Sequence, residues 1–230
     1  MLKLISLEIR KHKLGGMLKG AVITSFALLA FMVLILFVEA KEGEAFTSYS
    51  EMFEILFVLL KAAFIVFAAV LLSRIVIDEY KNNTISLLFM YPIERKKLMA
   101  AKLIIVFGFT LAAIIVSDVV LGLILIAINE TWHLVPGTLT LSMVTTELVK
   151  LGAGALYAAG ISLIPLFFGM RKKSVPTTIV SAILVVSLIT SGFNDTFRLG
   201  NFTAVSVFLG FFGIVIAYFS LRNIETEDIA

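Results

Sequence analysis

Hydrophobic and polar positions along this chain separate into long blocks instead of alternating. Apolar residues dominate positions 17–38, 55–77, 103–128, 148–168, 175–193 and 202–221, with short hydrophilic pieces between them. A helix crosses a hydrocarbon core with roughly 20 apolar residues, so each block meets or approaches the length of a membrane span. The pattern predicts an all-α polytopic membrane protein with six transmembrane helices, built as one domain over residues 1–230. Composition agrees. Hydrophobic residues make up 60% of the chain and the mean hydropathy is +1.07, which leaves little for a soluble domain.

Charge then orients the blocks. Lys3, Arg10, Lys11 and Lys13 precede the first block. Arg74, Lys81, Arg95, Lys96, Lys97 and Lys102 border the second and third, and Arg171, Lys172 and Lys173 separate the fourth from the fifth. The alternate loops are acidic: Glu39, Glu42, Glu44, Glu51 and Glu54 against Lys41, then Glu130 and Glu147, then Asp195 beside Arg198. Short loops rich in Lys and Arg stay on the cytoplasmic side, so both termini are expected there. Residues 1–16 become a cytoplasmic leader and residues 222–230 a cytoplasmic tail. The first block is no cleavable signal, whose apolar core runs only about 7–15 residues.

Missing chemistry narrows the function. There is no cysteine, and the only histidines are His12 and His133. Disulfides, thiolate metal sites and cysteine nucleophiles are excluded. No HExxH, GxxxxGK[ST] or GxSxG pattern occurs, so the chain has no zinc-protease helix, phosphate-cradling loop or nucleophile elbow of its own. The basic clusters border spans and lack interleaved aromatics, which argues against nucleic acid. Energy for any work would come from a partner ATPase or an ion gradient.

The loop at residues 78–102 carries the most information. Asn82 and Asn83 compete for their own backbone and should end the helix leaving the second block. Thr84 is a good N-cap. Ile85, Leu87, Leu88, Phe89 and Met90 then form a run too apolar for water and too short to span. Tyr91 precedes Pro92 and should leave helical geometry, Pro92 suits a new first turn, and Arg95, Lys96 and Lys97 suit lipid headgroups. Glu79, Thr84, Leu87-Leu88, and Tyr91-Pro92-Ile93 with Arg95 and Lys96 together resemble the cytoplasmic loop of ABC-2 type transporter permeases. The basic leader and six spans resemble that family as well, and the small size resembles its bacitracin and lantibiotic self-protection permeases.

That resemblance implies a coupling helix docked in a cleft of a separately encoded P-loop ATPase, with Glu79, Thr84, Leu87, Leu88, Phe89, Pro92 and Arg95 as coupling residues. It implies ATP and Mg on the partner and no cofactor on this chain. A second permease copy, or a related permease, would complete the path, and the cargo would be an amphiphilic peptide antibiotic. It also implies short re-entrant or capping helices near residues 192–201. Two other classes remain open at this point: an ion-coupled secondary transporter, and a membrane-anchored scaffold.

The remaining features concern packing. The leader places Lys3, Ser6, Arg10 and Lys13 on one helical stripe and Leu2, Ile5 and Ile9 on another, which predicts an interfacial helix ended by Gly15-Gly16. Gly152, Gly154, Ala155, Ala158, Ala159 and Gly160 give the fourth span a small face for close helix contact. Pro165 should bend that helix. Lys61 and Asp118 lie inside the second and third spans, where a charge is expensive. Either they pair across the two helices, or Lys61 reaches outward to Glu54 or Glu51 while Asp118 is protonated or bonded to a neighbouring helix.

Overall fold

The computed structural model describes residues 2–11, 14–42, 46–81, 95–137, 139–190, 192–194, 197–198 and 203–223. Helices α1 (Leu2–Lys11) and α2 (Leu14–Glu42) come first, followed by α3 (Tyr49–Leu72). A π-helical turn, Ser73–Ile77, joins α3 to the short α4 (Asp78–Lys81). Then come α5 (Arg95–Trp132), α6 (Leu141–Ile161), α7 (Pro165–Lys172), α8 (Val175–Thr190) and α9 (Thr203–Asn223). A short antiparallel pair, β1 (Gly192–Asn194) and β2 (Phe197–Arg198), precedes α9.

Helix α3 is the axis of the bundle. Met52, Leu56, Leu60, Phe64, Ala68 and Leu72 recur every four residues along it, and all are buried. A four-residue repeat puts them on one face. Around that face, α5 supplies Val106, Ile114, Leu121 and Leu125, and α6 supplies Leu151, Ala155 and Ala158. Helix α8 also packs on α3. Outward faces are just as apolar: Ile23, Phe26, Phe31 and Leu34 on α2, and Phe208, Phe211, Phe212 and Phe219 on α9 are all exposed. An apolar surface this extensive suits hydrocarbon and not water.

The two ends of the bundle differ in chemistry. At one end Lys11, Lys102 and the Arg171-Lys172 pair surround the π-turn, with Ile77 beside Gly169. At the other, Tyr49, Ser50, Asn129 and Glu147 meet beneath the 133–140 loop. Four stretches are long and apolar enough to cross a membrane: Gly15–Lys41, Tyr49–Tyr80, Lys96–Trp132 and Leu141–Lys172. The other two apolar helices, Val175–Thr190 and Val205–Ser220, are shorter. At 1.5 Å per residue α8 reaches only about 24 Å, against a core of about 30 Å.

Several local expectations are corrected. Gly15 and Gly16 do not end the leader; α1 stops at Lys11 and both glycines lie in the first turn of α2. First-turn N–H groups have no partner within their own helix, so glycine costs little there. Residues 192–194 and 197–198 pair as two short antiparallel strands where re-entrant or capping helices were implied. Pro165 does interrupt its helix: α6 stops at Ile161, a turn covers Ser162 to Ile164, and Pro165 opens α7 at a position needing no N–H.

Helices α6 and α9 meet backbone to backbone. A Cβ on Gly160 would lie 2.4 Å from the Gly210 carbonyl oxygen, and one on Gly213 would lie 2.0 Å from the Gly160 carbonyl oxygen. Gly152 on the same helix faces open space. Gly213→Ala should therefore part the helices and cost about 1–3 kcal/mol, the usual penalty of overpacking. Gly152→Ala should be neutral or gain up to about 1 kcal/mol from helix propensity. Thermal melting of the detergent-purified variants checks the contrast.

Candidate functional site

Four charged side chains converge where α1 crosses the base of α3 and α5. The Lys102 ammonium donates to the Ile75 carbonyl oxygen at 3.0 Å and forms an ion pair with Glu79. Its Nζ also lies 3.9 Å from a Glu8 carboxylate oxygen. Lys11, at the end of α1, donates to the other Glu79 oxygen at 2.6 Å. The Lys102, Glu8 and Glu79 side chains are only 2%, 6% and 8% exposed, while Lys11 is 43% exposed.

Local sequence explains the arrangement. Glu79 lies on α4, just past the π-turn, where the Asp78 N–H reaches back five residues to the Ser73 carbonyl. The Ser73 hydroxyl donates to Ala69 O at 2.8 Å inside the same segment. A π-turn inserts one residue into the ladder and rotates the helix beyond it. Ala101, Lys102 and Leu103 are all buried on α5, so Lys102 leaves the apolar face inward instead of toward solvent. Helix α1 packs on α5, with Ile5 against the apolar cluster of Met17, Leu72, Met99 and Val106.

Buried charges are tolerated when paired and hydrogen-bonded, and both carboxylates here lie within reach of the Lys102 ammonium. Removing one member leaves an uncompensated charge, which typically costs about 3–5 kcal/mol. At the two ends of the 78–102 segment, residues 78–81 continue the helix of α3 and residues 95–102 form the start of α5. Thr84, Leu87, Leu88, Phe89 and Pro92 lie outside the described residues. Arg95 opens α5, and its side chain lies outside them too.

Lys61 and Asp118 are half-buried, and no hydrogen bond or ion pair joins them among the described residues. Lys61 Nζ stands 4.7 Å from the centre of the Phe57 ring, a cation–π geometry. Among the described residues, Asp118 Oδ1 is buried without a hydrogen-bond partner. The neighbouring Ser117 hydroxyl meets Ser25 of α2 at 2.8 Å. Phe57 in turn lies against Gly154, where a Cβ would approach the ring to 2.4 Å.

Two buried polar residues escape a reading of the sequence. Lys102 passes there for one loop cation among several, and Asn129 does not stand out. The Asn129 amide donates to Tyr49 Oη at 2.6 Å and to Val135 O at 3.0 Å, and accepts from Val135 N–H at 2.7 Å. One signal is available: Glu8 is the one acidic residue in the basic segment 1–16. Among the described residues no group of three His, Cys, Asp or Glu side chains is placed to hold a metal ion.

Comparison with known proteins places this arrangement. The family described as ABC-2 family transporter protein matches residues 4–188, from α1 through most of α8. The chain is also 40% identical over 228 residues to the uncharacterized protein YcbO of Bacillus subtilis (strain 168), covering 99% of this chain and 100% of that one. No solved structure matches. With several apolar helices long enough to span and a family match over most of its length, the chain belongs to the ABC-2 family transporter proteins, as a multi-pass membrane transport subunit and not a catalytic one.

Proposed function

We propose that this chain is the transmembrane permease of an ABC exporter, driven by ATP and Mg bound on a separate P-loop ATPase subunit. The observation that carries the reading is the family match across residues 4–188, because ABC-2 permeases generally work with an ATPase subunit. Residues 78–102 act as the coupling loop. Its roots are rigid continuations of α3 and α5, and the apolar run from Ile85 to Met90 is the part that docks on the partner. The cargo is an amphiphilic peptide antibiotic of the bacitracin or lantibiotic type, on the strength of the resemblance to the small self-protection permeases. All six apolar helices cross the membrane, both termini are cytoplasmic, and two such bundles face each other, as two copies or as one copy with a related permease.

Leu88→Asp or Phe89→Asp should abolish ATPase pull-down and transport while the permease still inserts. Loss of an apolar hot spot costs about 2 kcal/mol or more, or roughly 30-fold in Kd. Thr140→Asp, which keeps a good N-cap for α6 at the opposite end, should change neither. Retained ATPase association and full transport in the loop variants would refute the reading. Deleting the gene should sensitise cells to bacitracin or a lantibiotic and not to unrelated water-soluble antibiotics.

Orientation has its own test. Thr47, Glu130 and Lys172 are all exposed. Cysteines placed singly at Thr47 and Glu130 should react with an impermeant thiol reagent in intact cells, and one at Lys172 should not. The opposite pattern would invert the topology.

A further inference from the structure

We infer that Glu79 and Lys102 are positioning residues for coupling, clamping α1 across both roots of the loop, and are not contact residues for the ATPase. The inference rests on the ABC-exporter reading and adds how loop movement reaches the spans.

The geometry argues for it on three counts. First, Glu79 and Lys102 are turned into the bundle and nearly covered, so neither offers its charge to a docking partner. Second, they join the two roots to each other. Glu79 lies on α4, beyond the π-turn of α3, and Lys102 stands about two turns into α5, so neither root can tilt alone. Third, α1 closes the arrangement from outside: Lys11 holds one Glu79 oxygen and Glu8 stands beside Lys102. Lys102 also holds the Ile75 carbonyl inside the π-turn. That turn is the point where α3 has an altered hydrogen-bond ladder, and π-turns often mark functional sites. A push on the loop is thereby delivered to α1, α3 and α5 as one body. Without the clamp, the loop would still bind the ATPase but would swing on the π-turn without moving the spans.

The test uses the purified permease with its ATPase, reconstituted in lipid, in five forms: unsubstituted, Glu79→Gln, Glu79→Asp, Lys102→Met, and the double variant Glu79→Gln/Lys102→Met. Three quantities are read: the melting temperature of the permease, the Kd for the ATPase, and the permease-dependent increase in kcat for ATP hydrolysis with its KM. The expected result has each single neutralising variant binding the ATPase within threefold of the unsubstituted Kd. Its stimulated kcat falls at least tenfold with KM for ATP unchanged, and Glu79→Asp recovers part of the stimulation. The double variant should melt higher than the sum of the single shifts predicts, because neither charge of the direct Glu79–Lys102 pair is then left facing a missing partner.

A Kd weakened tenfold or more by Glu79→Gln would make Glu79 a contact residue and overturn the inference. Full stimulation in a stably folded Glu79→Gln permease would overturn it as well, as would strictly additive melting shifts. Failure of the unsubstituted permease to bind any ATPase is a different result: it removes the exporter reading itself.

Discussion

Hydrocarbon gives a peptide group nothing to bond with, and every feature of this chain answers to that constraint. Helices satisfy the backbone within each segment, so each place where a helix is interrupted requires its own explanation. Among the described residues, three of the interruptions each have their own polar side chain. At the π-turn Ser73 returns its hydroxyl to Ala69 and the Lys102 ammonium takes the Ile75 carbonyl. At the α6–α7 break Ser162 donates to Ala159 O at 2.7 Å. Between α5 and α6 Asn129 serves both the N–H and the carbonyl of Val135. Polar residues in this apolar protein are placed largely where the main chain departs from regularity.

Charges obey the same logic with a higher stake. The basic end buries two carboxylates and an ammonium completely enough that each depends on the others, and the fourth member, Lys11, stays half in solvent. Lys61 is handled differently. Its stem is covered and its ammonium lies over an aromatic face, a weaker partner than a carboxylate but one that hydrocarbon accepts. Close glycine contacts between α6 and α9 add a third device, van der Waals packing that needs no polar atom at all.

Much of this is legible in the sequence because hydropathy and charge sorting are one-dimensional signals. The apolar blocks become helices, the small face becomes a contact at Gly154 and Gly160 but not at Gly152, and Pro165 opens a new helix after a turn. The features that escape depend on three-dimensional phase. Nothing in the run Ala100-Ala101-Lys102-Leu103 says which way Lys102 faces until α5 is rotated against α3, and a π-turn has no sequence signature strong enough to shift that phase in advance. Asn129 escapes for the opposite reason: one amide at the end of an apolar block reads as the start of a loop, and its value appears only when Val135 folds back over it. Glycine misleads at 15–16 because the same residue closes helices and tolerates their first turns. Of residues 78–102, only the two helical ends are described.

The placement of Lys11 also bears on how the protein is made. Chains emerge N-terminus first, and helix α3 is complete before α5 has been synthesised. Glu79 therefore reaches the membrane surface 23 residues ahead of Lys102, its buried partner. Lys11 has by then already emerged, 68 residues earlier, on a helix that rests at the same end of the bundle. Order of synthesis therefore makes the exposed counter-charge of Glu79, on α1, available before the buried one, which exists only once α5 follows.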